Sequence, residues 1–187
     1  MLEKEIKILE IDKEKLFSDL EELGAKKTFE GIIHDVYYDF PDGEELKMEK
    51  NKRMFRIRTK GEEHIYTIKR KRKKMGAEEG AIIKDEHETN ITNIESFARV
   101  LEKYGMTKTR EKKKHRTSYA LAGAEFDIDT YEEIPTFLEI EETSRENINF
   151  WIRKLKLENH DILLGGSRKI FKHYGVKYLN FDWKDKK

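Results

Sequence analysis

The sequence predicts an α+β protein whose strands close into a β-barrel with a charged lumen, with helices packed outside. The main observation is that strand-like segments alternate charged and apolar residues from the first residues to beyond residue 140. A single alternating strand is normally buried on one face and solvated on the other. Because charge recurs on one face of nearly every segment, a closed barrel that encloses those faces accounts for all of them together.

Two segments near the ends of this pattern are acidic. Glu3, Glu5 and Lys7 alternate in the opening segment, so they lie on one face of a strand. Glu139 and Glu141 repeat the alternation far along the chain. Clustered carboxylates repel one another unless a cation lies among them, and Mg²⁺ and Mn²⁺ prefer oxygen ligands. These four glutamates therefore predict a divalent metal site.

The segments between the acidic ones are basic. Arg56 and Arg58 alternate with apolar residues, and Lys69 follows Thr67 on the next predicted strand. Guanidinium groups bind phosphate oxygens through paired hydrogen bonds, whereas ammonium groups act as point charges. The cations predicted to neutralise a polyphosphate are Arg56, Arg58, Lys69, Lys114 and Arg116.

Three helical segments accompany the strands. The first begins after Asp12 and extends to about Leu23, with Gly24 as its stop, and its leucine stripe is predicted to pack on Ile6 and Ile8. A capping box predicts the start of the second helix, and a similar signal predicts the third. The residues of these two signals are Thr92 with Glu95, and Thr143 with Glu146. Strands are predicted over 32–40, 54–60, 65–71 and 81–89.

The overall composition narrows the class of protein. The 187 residues include 39 Lys plus Arg and 38 Asp plus Glu, a net charge of +1, so no general attraction to nucleic acid or to an anionic membrane is expected. The basic run at 69–74 is the best argument for a nucleic-acid binder, but a hairpin with a solvated outer face is sufficient to explain it. Cysteine is absent, which excludes disulfides and thiolate chemistry. With no apolar stretch long enough to cross a bilayer, a cytoplasmic protein is expected.

Several common catalytic motifs are missing. The sequence has no Gly-rich phosphate loop and no dinucleotide-binding fingerprint, so a phosphate ligand would be held by side chains. The six histidines have no zinc-like spacing. Both observations favour a site built from the alternating charged strands.

The order of these motifs resembles the CYTH superfamily, also called triphosphate tunnel metalloenzymes, which includes class IV adenylyl cyclases and thiamine or inorganic triphosphatases. The resemblance extends over almost the whole chain. Its motifs are Glu3-x-Glu5-x-Lys7, the segment His34 to Asp39, Arg56-Ile57-Arg58, Thr67-Ile68-Lys69, the segment Lys84 to Glu88, the segment Lys114 to Tyr119, and the acidic strands at Asp129 and at Phe137 to Glu141. Their shared order is more specific than any one of them.

The resemblance implies one CYTH-like domain over 1–187, an eight-stranded antiparallel tunnel, and a site that uses Mg²⁺ or Mn²⁺. The implied metal ligands are Glu3, Glu5, Glu86, Glu88, Asp129, Glu139 and Glu141. The implied substrate-binding residues are Lys7, Arg56, Arg58, Lys69, Lys84, Lys114 and Arg116. Catalytic roles are implied for Glu5, Lys7, Lys114 and Arg116.

The implied activity is that of a metal-dependent enzyme acting on a small-molecule triphosphate. The class IV adenylyl cyclase branch, which converts ATP to cyclic AMP and pyrophosphate, is the preferred expectation. A triphosphatase that hydrolyses tripolyphosphate, thiamine triphosphate or a nucleoside triphosphate is the alternative, and a non-catalytic polyphosphate- or nucleotide-binding module is a third. Tyr178, Phe181 and Trp183 pack either on the barrel or on a second subunit, so a homodimer is left open.

Overall fold

The computed structural model describes residues 4–41, 53–71 and 84–177, and these ranges contain nine strands and four helices. The strands are β1 Lys4–Ile8, β2 Lys26–Asp39, β3 Arg53–Lys60, β4 Glu63–Lys71, β5 Lys84–Asn90, β6 Thr107–Leu121, β7 Ala124–Thr130, β8 Phe137–Glu142 and β9 Ile162–Leu163. The helices are α1 Lys13–Glu22, α2 Ile94–Lys103, α3 Arg145–Lys154 and α4 Ser167–His173. Across these ranges, every helix is too short or too polar to serve as a transmembrane segment.

The strands form one sheet in the order β5-β4-β3-β2-β6-β7-β8-β1-β9. The α+β class and the antiparallel pairing are as predicted, but the closed eight-stranded barrel is wrong for the described residues. The sheet is open there, with β5 and β9 as its edges. The ninth strand is the two-residue β9, which pairs with β1 through Lys7 and Ile8 on the side away from β8.

Contacts divide the chain into two compact units. In the described ranges, unit 1 consists of residues 4–32 and 114–177, and unit 2 consists of residues between 33 and 113. The two long strands β2 and β6 contribute residues to both units.

The core of unit 1 lies between its sheet and helices α1 and α3. Asp12 caps α1 by accepting a hydrogen bond from the backbone N–H of Lys15, as the sequence predicts. Leu16 and Leu20 of α1 belong to the same buried cluster as Ile6 of β1. The predicted packing of the leucine stripe on β1 is therefore confirmed. From α3, the cluster includes Ile148, Trp151 and Ile152.

The segment that follows α3 was not predicted from the sequence. Helix α4 buries Ile170 and Phe171, which belong to a second cluster in unit 1 with Tyr131 and Phe137. The rings of Tyr131 and Phe171 meet edge to face, with their centroids 5.3 Å apart. This cluster fixes the connection that leads from β7 into β8.

Unit 2 has its own apolar core beneath α2. Leu101 and Phe97 of α2 pack with Ile57 of β3 and Tyr66 of β4. The helix begins one residue later than predicted, because Asn93 is the cap and accepts a hydrogen bond from the Ser96 backbone N–H. The predicted capping box at Thr92 and Glu95 is therefore wrong, because the cap is Asn93 and the residue three positions later is Ser96. In unit 1, the predicted start of α3 near Thr143 is likewise displaced to a Ser144 cap.

Candidate active site

The strands of unit 1 carry charged side chains on the face opposite to the apolar core. On β8, Leu138 and Ile140 are fully buried in the core. Glu139 lies between them and therefore points to the other face, because successive strand residues alternate. Asp127 lies in the same way between two core residues of β7.

A row of polar residues crosses this face at one level of the sheet. Lys7 of β1 is opposite Glu139 of β8, Glu139 is opposite Asp127 of β7, and Asp127 is opposite Ser118 of β6. The Lys7 ammonium lies 2.8 Å from a carboxylate oxygen of Glu139 and 2.9 Å from one of Glu5. The Lys7 side chain is only 2% exposed. One buried cation therefore joins two carboxylates that the sequence predicts as metal ligands.

Arg116 of β6 is the centre of a second set of contacts on the same face. Its Nε and Nη2 atoms donate to the two carboxylate oxygens of Asp129 at 2.6 and 2.7 Å. Nη2 also donates to Glu139 at 2.9 Å, and Nη1 donates to Asp127. Lys114 completes the network by donating to Asp129. Lys7, Lys114 and Arg116, which are predicted to bind substrate, thus contact predicted metal ligands in this structure.

This network lowers the pKa values of two of its carboxylates, those of Glu139 and Asp129. Burial by itself would raise the pKa of Glu139, but the charges of Lys7, Lys114 and Arg116 outweigh burial and lower it well below its usual range. Burial is also outweighed at Asp129, where Lys114 and Arg116 lower the pKa. The pKa of Lys7 is raised, because Glu139 and Glu5 outweigh the desolvation that would lower it. At neutral pH, Lys7, Asp129 and Glu139 are therefore charged.

Next to this network, three glutamates face one another on adjacent strands. Glu5 of β1 is opposite Glu141 of β8, which is opposite Glu125 of β7. Like charges directly opposite each other destabilise a sheet. Mg²⁺ is usually bound by one or two carboxylates plus phosphate oxygens, and the Glu5–Glu141 pair fits that donor set. In the described residues, no group of three or more acidic or histidine side chains is close enough to form a metal site by itself.

Unit 2 has a charged face of its own. Asp35 of β2 lies opposite Arg58 of β3, and Arg58 donates two hydrogen bonds to its carboxylate. Lys112 of β6 approaches the same carboxylate to 3.7 Å. The guanidinium carbon of Arg110 lies 3.7 Å from the centre of the Tyr37 ring, a cation–π contact.

The remaining predicted residues of unit 2 form acid–base contacts between β3, β4 and β5. Arg56 donates to Thr67 at 3.1 Å and to Glu88 at 3.4 Å, and Thr67 donates to Glu88 at 2.7 Å. Lys69 contacts Glu86. Glu86 and Glu88, which are predicted as metal ligands, are thus engaged by cations, and their side chains are 34% and 47% exposed.

Some residues that the sequence predicts for the site lie outside the described ranges, and some charged residues of these faces were not predicted. Glu3 and the side chain of Lys84 lie outside the described residues, as do Tyr178, Phe181 and Trp183. Sequence reasoning did not select Asp35, Lys112 or Asp127 as site residues. For Asp35, the available signal was its alternation with Val36 and Tyr38, the same acidic-apolar pattern that marks the other strands.

The charged face opposite a helix-covered core is the arrangement that the sequence motifs imply. The CYTH domain profile matches residues 1–174 of the 187. The chain belongs to the CYTH family. This confirms the family inferred from the motifs, and the match includes every residue discussed above in the charged faces of both units. No curated protein matches this CYTH sequence.

Solved structures share the CYTH fold at low sequence identity. A candidate adenylate cyclase from Vibrio parahaemolyticus matches with a TM-score of 0.73 at 17% identity, over 92% of this chain and 98% of that chain. A protein from Pyrococcus horikoshii matches with a TM-score of 0.65 at 22% identity, over 85% and 94%. A candidate adenylyl cyclase from Hippeastrum, described as revealing a dominant triphosphatase activity, matches with a TM-score of 0.59 at 15% identity, over 94% and 96%. At these identities the likeness shows the fold alone.

Proposed function

We propose that this protein is a divalent-metal-dependent enzyme that acts on the triphosphate group of a nucleoside or organic triphosphate. The observation that carries the proposal is the buried network of Lys7, Glu139, Arg116 and Asp129 on the sheet face opposite the core. Burying charges of both signs costs desolvation free energy, and ionisable groups with strongly shifted pKa values cluster at functional sites. Membership of the CYTH family supports the same reaction class.

The metal would be Mg²⁺ or Mn²⁺, held first by Glu5 and Glu141. Glu3, Asp129 and Glu139 are proposed as further oxygen donors, directly or through water. Glu86 and Glu88 are the remaining proposed ligands, although each contacts a cation here. A divalent ion at these carboxylates would neutralise charge on the triphosphate and on the leaving group.

The cations would bind the phosphate oxygens. The proposed substrate-binding residues are Lys7, Arg56, Arg58, Lys69, Lys84, Lys114 and Arg116. Cations that are already oriented by carboxylates stabilise the charge that develops in phosphoryl transfer without a large reorganisation. Glu5, Lys7, Lys114 and Arg116 are the proposed catalytic set, because they belong to one network or lie directly beside it.

The preferred specific activity is that of a class IV adenylyl cyclase. The ribose 3′ oxygen of ATP would attack the α-phosphorus, the bond from that phosphorus to the β-phosphate oxygen would break, and pyrophosphate would leave. The 3′ hydroxyl proton would pass to solvent. The fold shared with the Vibrio parahaemolyticus candidate cyclase supports this choice.

The second candidate is hydrolysis. Water would attack the terminal phosphorus of ATP, thiamine triphosphate or tripolyphosphate, and the bond from that phosphorus to the bridging oxygen would break. The diphosphate part would leave, and the terminal phosphoryl group would be released with the water oxygen as orthophosphate. The fold shared with the Hippeastrum protein, which is described as having a dominant triphosphatase activity, favours this alternative. Both reactions need the same oxygen donors and cations.

Product analysis separates the candidates. The purified protein is incubated with ATP and Mn²⁺ and the products are resolved by chromatography. Cyclic AMP with pyrophosphate supports the cyclase, whereas ADP with orthophosphate supports the hydrolase. Lys114→Met should abolish turnover, and Lys113→Met is the matched control because Lys113 is exposed and points to the other face of β6.

Because the proposed substrate class includes several triphosphates, thiamine triphosphate and tripolyphosphate are tested in parallel. Tight binding of a triphosphate with no turnover under Mg²⁺ or Mn²⁺ would support the non-catalytic binding module instead. Neither binding nor turnover with any of the three would contradict the proposed function as a whole.

A further inference from the structure

Asp35 is a buried carboxylate of unit 2 that the proposed reaction does not yet use. It lies on β2 directly opposite Arg58 of β3. Its Oδ1 accepts a hydrogen bond from Arg58 Nε at 2.7 Å and its Oδ2 accepts one from Nη2 at 3.0 Å. This paired geometry fixes the plane of the guanidinium group as well as its position.

The same carboxylate also holds a cation from another strand. Lys112 of β6 has its ammonium nitrogen 3.7 Å from Oδ2 of Asp35. The hydroxyl of Tyr37 donates to that oxygen at 3.4 Å. Asp35 therefore brings together cations from β3 and β6, two strands that lie on either side of β2 in the sheet.

The exposures of the three side chains form a gradient. The side chain of Asp35 is 1% exposed, that of Lys112 is 11% exposed and that of Arg58 is 20% exposed. The carboxylate thus lies beneath the cations, where a ligand on the charged face would reach the cations first. Asp35 can act on such a ligand through Arg58 and Lys112 and not by direct contact.

We propose that Asp35 is a positioning residue that holds Arg58 and Lys112 in the orientation in which both bind phosphate oxygens of the triphosphate. This inference rests on the proposed function and adds Lys112 to the residues that bind substrate. Arg and Lys side chains lose conformational freedom when they bind a ligand. Cations already held by a buried carboxylate have lost that freedom during folding, so binding a polyanion costs less.

Simple charge counting gives the opposite expectation. Asp35 carries a negative charge close to a site for a polyanion, so neutralising it should strengthen polyanion binding by Coulomb attraction alone. Positioning requires that neutralisation weaken binding. The direction of the change in affinity therefore distinguishes a positioning role from a purely electrostatic one.

The test is the affinity for tripolyphosphate, measured by calorimetry in EDTA so that no metal contributes. Asp35→Asn should raise the Kd at least tenfold, since two side chains lose their orientation. Glu111→Gln is the matched control. Glu111 of β6 contacts His34 of β2 and Lys108 of β6, so it joins the strands that carry Asp35 and Lys112, but its side chain points to the other face of the sheet. It should leave the Kd within about twofold.

A second variant covers the case in which Asp35→Asn does not fold. Asp35→Glu keeps the charge but has a side chain that is one methylene longer. A positioning role predicts weaker binding of tripolyphosphate by this variant, whereas a purely electrostatic role predicts no change in affinity. Arg58→Lys keeps the positive charge but loses the paired hydrogen bonds from Nε and Nη2 to Asp35. In a double-mutant cycle, its effect on the Kd should not add to that of Asp35→Asn. Additive effects in that cycle would contradict action through Arg58.

The outcomes distinguish this inference from the proposed function. If the wild-type protein binds tripolyphosphate and the Asp35 variants bind it as tightly or more tightly, the positioning role is wrong and the proposed function stands. If the wild-type protein binds none of tripolyphosphate, thiamine triphosphate and ATP, with or without Mg²⁺, both are wrong. Weaker binding by the Asp35 variants, with the Glu111 control unchanged, supports both.

Discussion

At the scale of single residues, Glu139 links cations from two different strands, β1 and β6, on the charged face of unit 1. One of its oxygens accepts from Lys7 and the other from Arg116. Glu139→Gln should lower the unfolding free energy by about 2 kcal/mol, because the amide places a donor beside two buried cations. It should also weaken binding of Mg²⁺ with tripolyphosphate at least tenfold, as measured by calorimetry.

The control for that variant is Glu158→Gln, the same change at an exposed position that follows α3. It should leave both the unfolding free energy and the affinity unchanged. Wild-type affinity in Glu139→Gln would argue that this carboxylate has no part in the site.

The ionised carboxylates also predict how stability depends on pH. The pKa values of Asp35, Asp129 and Glu139 are lowered in the folded protein from ordinary values of 3.8 for Asp and 4.5 for Glu. Their stabilising contribution is therefore complete above those ordinary values and is lost as the pH falls through them toward the folded-state values. Urea unfolding should give a free energy that decreases below about pH 5, by up to about 1.4 kcal/mol per pH unit for each group.

Glu139→Gln provides the comparison for this titration, since it removes one of the three groups. Its loss of stability between pH 5 and pH 3 should be shallower than that of the wild-type protein. An unfolding free energy that stays constant from pH 7 to pH 3 would contradict the ionised network.

Sequence reasoning predicted the faces of these residues better than their partners. Alternation alone placed Lys7, Glu139 and Arg116 on charged faces, because the period of a strand is fixed by its backbone. Whether Lys7 meets Glu139 depends on the register of β1 with β8, which the sequence does not state. For this reason Asp35 and Asp127 were not recognised as partners of Arg58 and Arg116.

At the scale of elements, β8 directs apolar side chains into the core and the intervening Glu139 side chain to the opposite face of the sheet. Ile140 is fully buried against α1 and α3, next in sequence to Glu139. Ile140→Ala should lower the unfolding free energy by about 2 to 5 kcal/mol through the lost contacts and the cavity. Measured on the folded protein, its affinity for Mg²⁺ with tripolyphosphate should match the wild type, whereas an equal loss of affinity and stability would mean that the two faces are not independent.

The start of α2 offers a test that compares two neighbouring residues. Asn93→Ala should lower the unfolding free energy by about 1 kcal/mol, since the amide oxygen that accepts from the Ser96 N–H is removed. Thr92→Ala should have an effect below about 0.5 kcal/mol. Urea denaturation of both variants decides between them, and a larger effect at Thr92 would restore the capping box predicted from the sequence.

Short elements account for most of what the sequence did not predict. Strand β9 has two residues and α4 has seven, which is too few for a period of 2.0 or 3.6 to be recognised. Because β9 adds a partner to β1, it also changes the sheet from eight strands to nine. The closed barrel was inferred from charge on every strand, but alternation fixes only which face a residue occupies and not whether the edges of a sheet meet.

At the scale of the whole molecule, ligand binding should be visible as added stability. Saturating Mg²⁺ and tripolyphosphate at about 100 times the Kd should add about 2.7 kcal/mol to the unfolding free energy. For a chain of this size, that corresponds to a rise in Tm of about 5 to 10 °C. The reason is that a ligand that binds only the folded protein shifts the folding equilibrium toward the folded state.

The thermal shift needs two controls. EDTA should remove the part of the shift that depends on metal, and Lys114→Met should reduce the part that depends on tripolyphosphate. An unchanged Tm in saturating Mg²⁺ and tripolyphosphate would count against a triphosphate site anywhere in the protein.

The α+β class and the family were predictable at this scale because several motifs occur in a fixed order over 174 residues. Register errors and missed short elements do not disturb such an order. The single domain, the homodimer and the preference for a cyclase over a hydrolase stay predictions. Each depends on surfaces or substrate contacts that alternation and motif order do not encode.

The borders of the two compact units have a practical consequence for protein engineering. Within residues 4–41, 53–71 and 84–177, they lie between residues 32 and 33 and between residues 113 and 114, inside β2 and β6. A truncation at either border would cut a continuous strand and leave unpaired backbone amides at the new terminus. Expression of either half alone is therefore expected to give insoluble material, whereas insertions of a tag or a reporter are better tolerated at the tight turn around Gly61 between β3 and β4.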